Sequence, residues 1–311
     1  MTAWLLGGIV AALLIAGGML MIAISHNGPA VLDAADRLTG GARDTQRKAV
    51  ISTGEHPQQQ LVVWGPEHRD PADAPLPVLV FAHGGSWTKG NPLDYGFIAR
   101  AFVPEGFVVV LVGYRLGEDG RYPAMIEDTA RAVAWTHEEI AAYGGDPDKI
   151  VIAGHSAGAY NVAMVALEEQ WLGRRGLATD TVKGVIGLSG PYDFAPFTSD
   201  SSKAAFGHVE DPDVTQPINH VRADAPPMLL VHGEADTLVK PRNTRALAER
   251  LNAAGGNAIP VFEPEMDHNR PLIVLAAPFR GNSDMIGLLE GFAHAVTGEA
   301  ETSVPVQAET R

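Results

Sequence analysis

The sequence predicts an α/β protein with a mostly parallel central sheet and helices on both faces, preceded by one transmembrane helix. Three observations lead there. Short apolar runs rich in β-branched residues alternate with helical patterns from about residue 60 to residue 296. A chain of 311 residues with 46% hydrophobic content can bury one large core. Before that core stands an apolar stretch with no polar face.

That stretch, Ala3 to Ile24, runs 22 residues without a charge. At about 1.5 Å per residue it can cross a hydrocarbon layer of about 30 Å. No Lys or Arg precedes it, which disfavours a signal peptide, although Ala23 and Ser25 are small residues spaced for cleavage. A single-pass anchor is therefore expected, with export after cleavage as the alternative. Arg37, Arg43, Arg47 and Lys48 follow the span. They favour a cytoplasmic domain only weakly, and the side of the membrane stays open. The expected organisation is an anchor or signal over 1–25, a juxtamembrane linker with one short helix over 26–50, a folded domain over 51–298, and a disordered tail over 299–311.

Strands are expected at Leu61 to Trp64, Val78 to Ala82, Val108 to Val112, Ile150 to Gly154, Val185 to Ser189, Met228 to His232 and Ile259 to Phe262. Several are continuous apolar runs, as strands buried on both faces require. Helical patterns lie between them. The clearest is Ala124 to Tyr143, stopped by Gly144 and Gly145; others are Arg242 to Ala254 and Ser283 to Val296. In such sheets reactive groups gather at the carboxyl ends of the strands.

A net charge of −14 argues against nucleic acid, whose phosphates need a basic surface, and against anionic lipid headgroups. The chain has no cysteine, so thiolate catalysis, disulfides and thiolate zinc sites are excluded. There is no HExxH, and no metal or cofactor is expected.

The pentapeptide GHSAG, Gly154 to Gly158, falls where "KIVIAG" ends as a strand and "AGAYNVAMVALEEQW" begins as a helix. Glycines on both sides permit a sharp elbow that pushes Ser156 outward. The helix start aims N–H groups and a positive dipole end at the same point. A serine hydroxyl needs a base, an acid that orients the base, and donors for the oxyanion. In this topology the acid and then the base follow the serine in the chain. Asp236 lies just past the strand in "MLLVHGEADTLV", and Asp193 in "LSGPYDF" is the runner-up. His268 lies in the loop "PEMDHNRP" after the last strand. His294 falls within a helix, and His232 precedes the acid and ends its strand. Asp267 adjoins His268 too closely to meet it side by side. Ala157 and the loop "FAHGGSW" supply oxyanion N–H groups, Gly85 and Ser86 as donors with Gly84 shaping the turn. His83 is expected to bond within that loop. The stretch Phe194 to Val221 is expected to form part of a lid or pocket wall.

The residues then match a known family. "HGGSW" at 83, "GYRL" at 113, "YP" at 122 with "EDTARAVAW", "YGGDPDKIVIAGHSAGA" at 143, "LSGPYD" at 188, "HGEADTLV" at 232 and "DH" at 267 occur in order. Over residues 50 to 297 the sequence resembles the α/β-hydrolase fold carboxylesterases. Within them it looks like the feruloyl-esterase-like and kynurenine-formamidase-like branch, near the hormone-sensitive-lipase type. The resemblance implies a Ser156, Asp236 and His268 triad, with Gly85, Ser86 and Ala157 around the oxyanion. It implies a small-molecule ester substrate, with a formamide as close alternative. One departure concerns the acyl pocket: Ser86 and Trp87 stand where many carboxylesterases carry a third glycine and an aromatic. A hydrolase fold that has lost catalysis and serves as a membrane-tethered binding module is the reading from another class. The substrate and the oligomeric state are not legible.

Overall fold

The computed structural model describes residues 2–40, 44–70 and 72–298, and omits the side chains of 2–16 and 20. The chain runs α1 (Thr2–Leu38), β1 (Thr45–Ser52), β2 (Gln60–Pro66), β3 (Leu76–Ala82), α2 (Gly96–Phe102), β4 (Val108–Val112) and α3 (Ala124–Glu139). It continues through β5 (Gly145–His155), α4 (Ala157–Leu167), α5 (Gln170–Gly173), β6 (Val182–Leu188), α6 (Asp200–Phe206), β7 (Met228–Gly233) and α7 (Arg242–Ala253). It closes with β8 (Ala258–Glu263), α8 (Arg270–Ile273), α9 (Ala277–Arg280) and α10 (Met285–Val296).

The sheet has eight strands in the order β1-β2-β4-β3-β5-β6-β7-β8. β2 is antiparallel to both its neighbours, and every pair from β4 to β8 is parallel. β4 is buried throughout, as its unbroken run VVVLV requires. One apolar cluster sits under α3, α4 and α7, and the second under α2 and α10. The central helix α4 is buried at all its residues, which explains a composition of Ala, Val and Met with no polar stripe.

The expected strands and helices appear, a helix within 26–50 among them, and one strand is added inside that stretch. β1 begins at Thr45 and pairs along β2. It is an exposed edge carrying Arg47 and Lys48, so it lacks the apolar alternation that announces a half-buried strand. Ahead of it, α1 breaks at Asn27, whose backbone is non-helical. The Asn27 side chain caps the second half, accepting from Ala30 N at 3.2 Å and donating to Asp94 at 2.8 Å. That second half is docked. Arg100 of α2, with 3% of its side chain exposed, donates to both Asp33 and Asp36. Asp36 also accepts from Ala277 N at 2.6 Å. Residues 28–38 therefore belong to the folded domain rather than to a linker.

Among the described residues no helix is long and apolar enough to cross a membrane. The expected span, Ala3 to Ile24, falls largely on residues whose side chains lie outside those described, and the expected disordered tail, 299–311, lies wholly outside.

Removing residues 1–25 should leave the denaturation midpoint unchanged. Removing 1–43 strips both carboxylates from buried Arg100 and should cost about 3–5 kcal/mol. Guanidinium titration of the two truncations checks this; equal midpoints would show that the helix contributes nothing.

Candidate active site

The elbow forms where β5 meets α4. Ser156 has φ 54° and ψ −118°, a strained conformation for a residue with a Cβ. Its N–H donates to Leu188 O of β6 at 2.8 Å, which ties the strained residue to the next strand. A side chain at Gly158 would strike the backbone of Ala82 and His83, and one at Gly154 would strike Gly158. The glycines of the pentapeptide are thus required by close backbone approach on both sides of the serine.

Ser156, His268 and Asp236 come together. His268 Nε2 lies 2.9 Å from Ser156 Oγ, and His268 Nδ1 lies 2.7 Å from Asp236 Oδ2. A carboxylate can only accept, so Nδ1 carries the proton and Nε2 accepts from the hydroxyl. All three groups are buried, Ser156 at 7% exposure. Asp236 Oδ1 accepts from Leu238 N at 2.8 Å and Val239 N at 2.9 Å. Burial alone pushes the Asp236 carboxyl up. The bonds from His232 and His268, the His268 charge and the Val239 N–H outweigh that and hold it well below the ordinary carboxylate value.

Asp193 takes no part: it pairs with Arg242 at 3.2 Å on the surface. His294 bonds Glu105 O at 2.9 Å on α10, and Asp267 caps the N–H groups of Asn269 and Arg270.

Two histidines matter more than their sequence positions suggested. His232 is the penultimate residue of β7, and its Nε2 donates to Asp236 Oδ2 at 3.1 Å and Val239 O at 2.9 Å. Thr244 Oγ1 lies 2.8 Å from its Nδ1 and donates to it. His155, the second residue of GHSAG, donates from Nε2 to the backbone carbonyl of His268 at 2.9 Å. The residue beside the serine thereby fixes the backbone of the imidazole that meets it. The available signals were the spacing of His232 four residues before Asp236 and the place of His155 in the elbow.

The loop after β3 lies against the elbow. Gly84 sits so close to His155 and Ser156 that a Cβ there would lie 2.9 Å from the His155 ring and 3.0 Å from its carbonyl oxygen. Gly85 has φ +123°, and Ser86 and Trp87 have φ 56° and 57°. Gly85 O accepts from Thr88 N and Lys89 N, each at 3.1 Å. The N–H groups of Gly85, Ser86 and Ala157 donate to no acceptor among the described residues. His83 bonds Gly84 O at 2.8 Å and stacks on Tyr114 at 4.5 Å. Trp87 donates to Asn161 at 3.3 Å and meets Tyr160, Phe194 and Phe206 edge-on or stacked. Part of the stretch Phe194 to Val221 therefore forms an aromatic wall against this loop.

The family model BD-FAE matches residues 67–251 of this sequence, more than half of it. The chain belongs to that family. It is 30% identical to the esterase LipC of Mycobacterium tuberculosis over 74% of its own length and 61% of that protein. The esterase LipQ of the same organism is 33% identical over 69% of this chain and 56% of LipQ. The chain thus spans about three fifths of these curated relatives. Among solved structures, esterase 2 of Thermogutta terrifontis superposes with a TM-score of 0.66 at 22% identity, covering 82% of this chain and 96% of that one. The fold of this BD-FAE chain is the α/β-hydrolase fold, the expected class.

Acid should unfold this site in a defined window. Burial, then the charge of His268, lowers His155 to about 3, and burial lowers His83 to about 4. In the unfolded chain both titrate near the ordinary 6.5. Between those values the unfolded chain binds more protons, so stability is complete above pH 6.5 and falls as the pH drops. At pH 4.5 each ring should cost on the order of 2 kcal/mol. Asp236 acts in the same sense at still lower pH. Glu290, raised to about 7 by burial and by Glu105, opposes the trend, but it is half-exposed and screened by water. Guanidinium midpoints at pH 7.5 and 4.5 check this; equal values would contradict the buried neutral rings.

Proposed function

We propose that the protein is a serine hydrolase that cleaves carboxylic esters of small to medium acyl or aryl groups through an acyl-enzyme. Ser156 Oγ attacks the ester carbonyl while His268 Nε2 takes its proton. The imidazolium is steadied by Asp236, which His232 and two backbone N–H groups hold in place. The oxyanion enters the space faced by the N–H groups of Ala157, Gly85 and Ser86. His268 then protonates the departing alcohol, and water repeats the sequence on the acyl group.

The observation that carries this reading is the continuous hydrogen-bonded line from Ser156 through His268 to Asp236, with a strained serine at its end. The names of LipC and LipQ as esterases support the same bond type. A panel of p-nitrophenyl esters of rising chain length, with feruloyl esters and N-formylkynurenine beside them, tests it. Esters should turn over, with rates falling for long chains that the wall of Trp87, Phe194 and Phe206 crowds. Turnover of the formamide alone would replace the ester reading.

The N-terminal segment serves as a single-pass membrane anchor in this reading. Its 22 uncharged residues support it, as do Met19, Met21 and Ile22, each more than 60% exposed beside the domain. Full-length protein should stay with membranes through salt and alkali washes, because apolar burial rather than charge holds it.

A further inference from the structure

Away from the triad, α3, the end of β1 and the turn after α5 enclose an open depression of about 510 Å3. Arg131, Arg174 and Arg175 line it together with Trp135, Glu138 and Thr53. None of the three guanidinium groups has a carboxylate within ion-pairing distance among the described residues, whereas Arg100, Arg115, Arg222, Arg242 and Arg245 each do. In a chain of net charge −14, acidic side chains to neutralise them are plentiful. The adjacent Glu127 is instead engaged by Arg115 at 3.4 Å.

The contacts these arginines do make leave donors over. Arg131 Nη1 donates to Thr53 O at 3.0 Å, and its Nε is buried with no partner. Arg175 Nη2 reaches Glu127 O only at 3.5 Å. Arg174 lies on the Trp171 ring at 5.1 Å, which orients the guanidinium without using its N–H groups. Burial, then the charge of Arg131, depresses the Arg175 pKa, with Glu127 and Asp128 offsetting only part of the effect.

Cations that share one depression with no direct ion pair carry an unfavourable energy that an anion removes. The fork of a guanidinium matches phosphate oxygens pairwise. Trp135 adds a flat apolar wall, and Glu138 at the rim disfavours a second anionic group while accepting from a hydroxyl. We propose that this depression binds a phosphate monoester that also carries a hydroxyl group, with Arg131, Arg174 and Arg175 holding the phosphate. No triad residue lines the depression, so the proposal does not depend on the esterase reading.

The test uses the full chain, detergent-solubilised where its N-terminus requires, with glycerol 3-phosphate, hexanoyl lysophosphatidate and citrate as probes in thermal-shift and calorimetric titrations. A phosphate probe should raise the melting temperature saturably, and the R174Q/R175Q double variant should bind it at least tenfold more weakly. Arg174 is exposed and Arg175 half-buried, and neither forms an ion pair among the described residues, so the variant's unliganded melting temperature should stay close to that of the parent. Should the double variant fold poorly, R174Q alone must still show weaker binding. Tighter binding of hexanoyl lysophosphatidate than of glycerol 3-phosphate assigns the site to a lipid headgroup, and equal binding assigns it to a free ester. Absence of a saturable shift with either phosphate, an equal shift in the variants, or equal binding of citrate would overturn the proposal.

Discussion

Replacing Ser156 with alanine should lower kcat by about 10⁴ to 10⁶ and leave the fold intact, because nucleophile, base and acid act as one unit. The substitution removes a single oxygen from a site whose remaining bonds persist. His268 keeps Asp236 at 2.7 Å and keeps its backbone bond to His155. Stability should hold or rise, since the elbow loses a buried hydroxyl. Retention of more than a tenth of the parent activity would remove Ser156 from the mechanism. Circular dichroism alongside the kinetics separates a chemical loss from a folding loss.

Asp236→Asn should be nearly as damaging, by about 10⁴ in kcat, and here the environment itself gives the reason. Asp236 accepts at every contact it makes. Oδ2 takes His268 Nδ1–H and His232 Nε2–H, and Oδ1 takes two backbone N–H groups. An amide has one oxygen, so its NH₂ must face two donors whichever way it is turned. Facing the histidines, it drives His268 to the tautomer whose Nε2 carries the proton and cannot accept from the serine. Facing the backbone, it leaves two buried N–H groups unpaired, at about 1–3 kcal/mol each. Asp193→Asn should change activity little, because its partner is surface Arg242. If the two variants behaved in the reverse order, Asp193 would be the acid.

The parts of this molecule legible in its sequence are those whose signal is local. β4 and β5 announce themselves as apolar runs, and the Ser156 elbow as glycines between a strand and a helix. The order of Ser156, Asp236 and His268 follows from topology, so spacing could not have named them without the fold. The docking of the second half of α1 was not legible: Asp33 and Asp36 have no visible partner in the sequence until Arg100, more than 60 residues later, is placed beside them. β1 escaped for the opposite reason, since an exposed edge strand needs no apolar face. His155 and His232 escaped because their partners are a backbone carbonyl and a carboxylate already spoken for. Such bonds depend on where the β5 and β7 ends and the His268 loop meet in space.

The proposed chemistry requires Ser156 to be the reactive group. Incubation with a fluorophosphonate probe, followed by peptide mass spectrometry, measures this directly. One adduct, on the peptide containing Gly154 to Gly158 and localised to Ser156, is the predicted result, with labelling lost in Ser156→Ala and strongly slowed in His268→Ala. No adduct, or an adduct on another residue that persists in Ser156→Ala, would contradict it.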